Sequence, residues 1–316
     1  MKLAFLDTKT IGEVPDLKLL NRFGEVTYYD TTSDNETFNH VKNVDIVITN
    51  KVVIDKGIID RATKLKLICV AATGTNNIDI QAAEDRGITV KNVADYSTNS
   101  VAQATFALLL QLVNKISYYD SYVKKGNYSA SDIFTHLGKP FSDLSGKQFG
   151  IIGMGNIGRK VAGIAAAFGC EVVYYSTSGQ NNDQSYKRLE LNEFLASCDI
   201  ISIHAPLNDK TANLINYQRL RLMKPNAILV NSGRGGIINE ADLLKALDSD
   251  LIAGAAIDVY RQEPIEADSP LLQVKNKEKL VLTPHIAWAS IESRTLLIKK
   301  IAQNIEDFLN NYTINT

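Results

Sequence analysis

Gly153-Met154-Gly155-Asn156-Ile157-Gly158 lies midway along the chain, and its flanks decide how it is read. Before it, Lys147-Gln148-Phe149-Gly150-Ile151-Ile152 is a short apolar run with the character of a buried parallel strand. After it, residues 159–168 carry alanines and spaced apolar positions in the manner of a helix. Gly169 closes that helix, and Glu171-Val172-Val173-Tyr174-Tyr175 reads as a second strand. Strand, glycine turn, helix and strand make one βαβ unit with the dinucleotide-binding fingerprint at its first turn. Gly153 permits the tight turn, Gly155 lets backbone approach a pyrophosphate, and Gly158 lets helix and strand pack closely. Amide N–H groups and the positive end of the helix dipole then face the phosphates.

One position departs from the usual pattern. An Asp or Glu ordinarily stands at the tip of the second strand and bonds the adenosine ribose. Here the tip is Ser176, followed by Thr177, Ser178 and Gly179. A hydroxyl can bond a ribose but lacks the charge that repels a 2′-phosphate. No Arg or Lys stands in the next ten residues to grip such a phosphate, and Lys187 and Arg188 come late. The expectation is NAD, with NADP tolerated.

Composition excludes several classes. The chain has 316 residues, 45% of them hydrophobic, and a formal net charge of −1. That length suggests two domains. A near-neutral balance with scattered basic residues gives no general attraction for nucleic acid or an anionic membrane. Cys69, Cys170 and Cys198 share no C-x-x-C spacing, and read as small buried hydrophobes in a reducing compartment. Asp7 interrupts the first apolar run too soon for a signal peptide, and no stretch approaches a membrane span. The expected location is the cytoplasm.

Short strands are predicted at residues 2–6, 25–29, 45–49, 66–71 and 89–93, separated by helical or turn-rich segments. Such alternation is the mark of an open parallel α/β unit. Residues 99–124 read as one long, largely apolar helix, buried on most sides. Residues 126–146 are looser and hand over to the fingerprint unit. Further strands are expected at 199–203, 227–231, 252–257 and 279–282, and a final helix at about 291–310. Residues 181–185 form a polar loop. The economical arrangement is a discontinuous first domain, residues 1–98 plus 286–316, with a nucleotide domain of residues 99–285 inserted into it. The ligand is expected in the cleft at the carboxyl ends of the two sheets.

Three segments, each just beyond a predicted strand, carry side chains fit for chemistry. In Asn231-Ser232-Gly233-Arg234-Gly235-Gly236 an arginine flanked by glycines is presented at a strand end, and its planar fork matches a carboxylate. In Thr283-Pro284-His285, a histidine at a fixed turn can pass a proton near neutral pH. Between them, Glu263 in the run from Asp258 to Pro264 would orient that imidazole if it reaches a ring nitrogen. No metal site is evident.

The ordered set of Arg in N-S-G-R-G-G, Glu in an Asp-Val-x-x-x-Glu-Pro run and His in T-P-H resembles the D-isomer-specific 2-hydroxyacid dehydrogenases. The resemblance spans essentially the whole chain. It includes Ala71-Ala72-Thr73-Gly74-Thr75-Asn76-Asn77-Ile78-Asp79 as substrate and cofactor loop, and Asn92-Val93-Ala94-Asp95-Tyr96-Ser97 as hinge. It departs at Ala94, where proline is commoner, and at Gln103, where glutamate is. It implies two Rossmann-like or flavodoxin-like parallel-sheet domains. Arg234 would bind the substrate carboxylate, His285 would be the general acid or base, and Glu263 would tune His285. Ala72, Thr73 and Gly74 would complete the carboxylate site. Thr73, Asn156, Ile157, Ser176, Ala205, Pro206, Ser232, Asp258, His285 and Ala287 would line the cofactor, with Asp258 facing the nicotinamide carboxamide. His204 reads as structural.

Residues 137–146, 174–179 and 284–290 look most like glycerate dehydrogenases, that is, hydroxypyruvate reductases. Hydroxypyruvate or glyoxylate is therefore the expected substrate, and D-lactate dehydrogenase or a broad 2-ketoacid reductase the alternative. An NADH-sensing corepressor-like binding protein is the non-enzymatic alternative. The family is commonly dimeric, so a homodimer is expected.

Overall fold

The structure is a computed structural model that describes residues 1–180 and 183–314. Asn181 and Asn182 of the expected polar loop lie outside the described residues, as do the last two residues of the segment 286–316. The chain divides into two compact units, Met1–Ser97 with Ala289–Thr316, and Thr98–Trp288.

In the first unit, strands β1 (Lys2–Phe5), β2 (Glu25–Tyr28), β3 (Ile46–Thr49), β4 (Leu67–Val70) and β5 (Thr89–Lys91) pair in parallel, in the order β2-β1-β3-β4-β5. Strands β3 and β4 read Ile-Val-Ile-Thr and Leu-Ile-Cys-Val and are buried at every residue. Such unbroken apolar runs belong to a parallel sheet covered on both faces. Helices α1 (Asp34–Val41), α2 (Lys56–Arg61) and α3 (Ile80–Asp85) connect the strands. Their starts are written in the sequence: Ser33 and Glu36 form a capping box, and Asp55 and Asp79 accept from the amides of Ile58 and Ala82. The C-terminal helix, Ile291–Ile314, packs against β4 and the 3₁₀ stretch Pro15–Phe23. Arg294 fastens it there by donating to the carbonyls of Ile11 and Glu13.

The second unit opens with α-helical chain that breaks once. The long helix expected over residues 99–124 is two helices, α4 (Thr98–Val113) and α5 (Ile116–Lys124). Between them Lys115 adopts φ 54°, a left-handed conformation that a right-handed helix cannot pass through. The two helices also differ in burial. Val101, Ala102, Thr105, Phe106, Leu108, Leu109 and Leu112 of α4 are buried, whereas α5 has no buried residue.

The remaining elements are β6 (Gln148–Ile152), α6 (Asn156–Ala167), β7 (Glu171–Tyr175), β8 (Lys187–Arg188), α7 (Leu191–Ser197), β9 (Ile200–Ile203), α8 (Tyr217–Leu220), β10 (Ile228–Asn231), α9 (Glu240–Asp248), β11 (Gly254–Ile257) and β12 (Leu280–Leu282). All seven strands are parallel, in the order β12-β11-β10-β9-β6-β7-β8. One face is covered by α4 and α6, where Phe106 stacks on Phe149 and on Phe168. The other face is closed by Phe194, Leu195, Leu220, Leu243 and Leu247. Strand order reverses at the β6–β9 junction, and the carboxyl ends at such a junction are where this kind of sheet binds ligands. Two parallel-sheet α/β units were the expectation, and they are what forms.

Candidate active site

The fingerprint turn sits at that reversal point. Gly153 follows β6 at φ 95°, and a Cβ there would stand 2.8 Å from the Ala205 nitrogen, so only glycine lets the β9 loop pass. Gly155 is the N-cap of α6 and has no side-chain cap, and a Cβ on it would meet nothing within 4 Å. The first-turn amides of α6 have no carbonyl partner within the helix. Open space in front of an uncapped helix start suits a pyrophosphate. A Cβ on Gly158 would strike the Gly153 carbonyl oxygen, which accounts for the third glycine.

Two buried polar atoms flank this turn, and neither has a hydrogen-bond partner among the described residues. They are Ser176 Oγ, just past β7, and His204 Nδ1, just past β9. Ser176 is only 4% exposed, so its hydroxyl is held under the strand tip. The Nε2 of His204 lies 2.8 Å from Ser202 Oγ, and burial pushes the imidazole pKa down to about 3. An orphaned donor or acceptor on each side of an open helix start fits a bound dinucleotide, which can offer partners to both. Ala205 is buried against Gly153, and Pro206 accepts a hydrogen bond from Thr211.

The ionisation of His204 gives a pH prediction. Its folded pKa lies below the ordinary 6.5. The stability that the neutral ring contributes is therefore complete above that pH and is lost as pH falls toward the folded value. His204→Gln should flatten the loss of Tm between about pH 7 and pH 5. Melting curves of wild type and variant that fall in parallel would sink the assignment.

Arg188 is nearer the ribose position than its place in the sequence suggests. Strand β8 pairs with β7, setting Arg188 opposite Tyr174, and its Nη1 donates to the Gly179 carbonyl at 3.1 Å. The late arginine therefore returns to the loop that follows Ser176. Arg159 pairs with Asp183, whose amide is bonded to the buried Tyr174 hydroxyl.

The three residues expected to do chemistry lie past the ends of β10, β11 and β12. Arg234 is carried on a braced loop: Asn231 accepts from the Gly233 amide and donates to the Arg234 carbonyl at 3.0 Å. Ser232 Oγ lies 2.8 Å from Thr105 Oγ1 of α4. A Cβ on Gly235 would collide with the Tyr260 carbonyl, so the arginine loop rests directly on the segment that leads to Glu263. Glu263 divides its carboxylate. Oε1 accepts from the Tyr260 amide at 3.1 Å, and Oε2 lies 2.7 Å from His285 Nδ1. Both side chains keep partial access to solvent. With Nδ1 donating to Glu263, Nε2 is the nitrogen able to meet a substrate oxygen.

His285 itself has φ 54°, and a cage of bonds to Asp258 holds its turn. Asp258 is fully buried, which raises its pKa, while the Thr283 hydroxyl and the Ala287 and Ile286 amides oppose that shift. The Ala287 carbonyl accepts from Ser100 Oγ. In the first unit, Ala72, Thr73 and Gly74 follow β4, where Thr73 donates to the Val93 carbonyl and Asn92 to the Thr73 carbonyl. Sequence reading assigned no role to Asn231 or Tyr260. An amide ending a strand ahead of a glycine turn was the available signal for Asn231.

The family model for the D-isomer specific 2-hydroxyacid dehydrogenase NAD binding domain matches residues 106–287. The chain belongs to the D-isomer-specific 2-hydroxyacid dehydrogenases. Among curated relatives of this dehydrogenase, the hydroxypyruvate reductase of Blautia hydrogenotrophica is 35% identical, over 100% of this chain and 99% of its own. The glycerate dehydrogenase of Methylorubrum extorquens is 34% identical over 98% and 96%. An acyclic imino acid reductase, Bsp5, in complex with NADPH and D-Arg superposes with a TM-score of 0.88, at 31% identity over 98% of both chains. The dehydrogenase is accordingly an NAD(P)-dependent oxidoreductase with the two-unit parallel-sheet fold of its family.

Proposed function

We propose that this dehydrogenase reduces hydroxypyruvate or glyoxylate to the D-2-hydroxy acid and catalyses the reverse. The observation that carries the reading is the 2.7 Å contact between Glu263 Oε2 and His285 Nδ1. It fixes the ring and occupies Nδ1, so Nε2 can give a proton to the keto oxygen and take it back in oxidation. Arg234 binds the substrate carboxylate through its fork and polarises the adjacent carbonyl. Amides of Ala72, Thr73 and Gly74 are assigned to the same carboxylate from the family resemblance. The bound nicotinamide supplies or accepts the hydride. Formate oxidation has no proton to shuttle, and Glu263 with its ion-pair contact argues against it.

Gly153, Gly155, Asn156, Ile157 and Gly158 are assigned to the pyrophosphate, Ser176 to the ribose, and Ala205, Pro206, Ser232 and Ala287 to the cofactor groove. NAD is the preferred form, and Arg188 beside the Ser176 loop supports tolerance of NADP. Three buried free cysteines suit a reducing cytoplasm. A homodimer is supported by apolar side chains on the 126–146 stretch, where Phe134 and Leu137 are 89% and 81% exposed. Replacing both with aspartate should give a monomer by light scattering, and a mass unchanged from wild type would refute that surface.

The deciding experiment follows NADH consumption with hydroxypyruvate, glyoxylate, pyruvate and 2-ketoisocaproate, repeated with NADPH. Fast turnover on the first two is expected. Preference for pyruvate or the branched acid would favour a D-lactate or broad 2-ketoacid reductase, and silence on all four would favour a corepressor-like binding protein. A strong NADPH preference would overturn the NAD assignment.

A further inference from the structure

His285 is not glycine, yet it stands in the left-handed region that L-residues avoid. Left to itself, a Thr-Pro-His-Ile turn would relax to another conformation and re-aim the imidazole. What opposes this is concentrated on one residue of the neighbouring strand end. Asp258 Oδ1 accepts from Thr283 Oγ1 at 2.6 Å and from the Ile286 amide at 2.9 Å. Its Oδ2 accepts from the Ala287 amide at 2.9 Å, and its main-chain oxygen accepts from the His285 amide at 2.8 Å. One residue thus grips the turn before, at and after the histidine. Tyr260, two residues on, adds a hydroxyl bond to the Thr283 carbonyl at 2.8 Å.

We infer that Asp258 is a positioning residue of the proton shuttle, its carboxylate clamping the left-handed turn that presents His285 Nε2. The inference rests on the reading of His285 as proton donor. Three donors already converge on the two carboxylate oxygens, and all three belong to the turn. That is the geometry of a brace. A carboxylate suits the task because it only accepts. In Asp258→Asn the amide nitrogen would confront either the Ala287 amide or the donors of Thr283 and Ile286, and the turn would lose part of its support while side-chain volume is kept.

The test is a double-mutant cycle with keto-acid turnover, NADH affinity by fluorescence, and Tm for each protein. Asp258→Asn should lower kcat roughly 10²-fold, the order expected when a reacting group is displaced by about an ångström. Its NADH affinity should stay within about threefold, and in the His285→Ala background it should cost nothing further. Thr283→Val removes one donor and keeps the carboxylate, so it should lower kcat by a smaller factor that also vanishes without His285. It serves as the test if Asp258→Asn does not fold. Loss of NADH affinity of about tenfold or more in Asp258→Asn would place Asp258 on the cofactor and overturn the inference. A rate loss that persists undiminished in the His285→Ala background would overturn it as well. Near-normal turnover of His285→Ala alone would instead overturn the proton-donor reading on which the inference stands.

Discussion

His285→Ala lowers kcat for keto-acid reduction by about 10²–10⁴-fold and leaves NADH affinity nearly unchanged. The size follows from the proposed role: without the imidazole the alkoxide that forms must take its proton from water. The Glu263 contact sharpens the expectation, because Oε2 at 2.7 Å holds Nδ1 and leaves Nε2 for the substrate. Deleting the imidazole therefore removes the proposed proton donor and its contact with Glu263 Oε2, while Glu263 Oε1 keeps the Tyr260 amide. Alanine at φ 54° would also be strained. His285→Asn is the better control, since asparagine tolerates the left-handed region but cannot shuttle a proton. Both variants should lose kcat to a similar degree, while a Tm loss should be confined to alanine. If His285→Asn turns over near the wild-type rate, proton transfer belongs to another group.

The parts of this site that local chemistry demands were legible from residue order. Gly153 and Gly158 stand where the turn and the helix packing require glycine, and the structure gives both their reason, while Gly155 opens on free space at the helix start. The strands were legible because runs such as Ile46–Thr49 and Leu67–Val70 are apolar throughout, as a covered parallel sheet requires. Other features depend on tertiary pairing and have no local signature. Glu263 meets His285 across 22 residues because β11 and β12 lie side by side. Arg188 returns to the Ser176 loop because β8 pairs with β7. The break at Lys115 has no local signature for another reason: lysine announces neither a cap nor a left-handed residue, and the apolar pattern runs on to either side of it. Asp258 was singled out, but its partners Ile286 and Ala287 offer main-chain donors, which a sequence does not display.

Arg234→Ala should lower kcat/KM by about 10²–10⁴-fold, and Arg234→Lys should recover only part of it. A bidentate guanidinium–carboxylate pair makes two charge-assisted hydrogen bonds, each contributing about 1.5–3 kcal/mol. Their combined loss, about 3–6 kcal/mol, corresponds to roughly 10²–10⁴ in kcat/KM. Lysine restores the positive charge but not the planar fork, so it can hold the carboxylate without fixing the carbonyl against His285. The expected split follows. Alanine should raise KM and lower kcat together, whereas lysine should recover KM more than kcat. The scaffold around Arg234 makes a trivial folding defect unexpected, because Asn231 braces the loop through the Gly233 amide and the Arg234 carbonyl, neither of which the substitution touches. The side chain's own bond is to the neighbouring Gly233 carbonyl, at 2.8 Å. That acceptor belongs to the same turn, so releasing it should cost little stability. Steady-state kinetics on hydroxypyruvate with Tm measured alongside would decide the matter. If Arg234→Lys matched wild type in both constants, a point charge would suffice and the fork geometry would have no part in recognition.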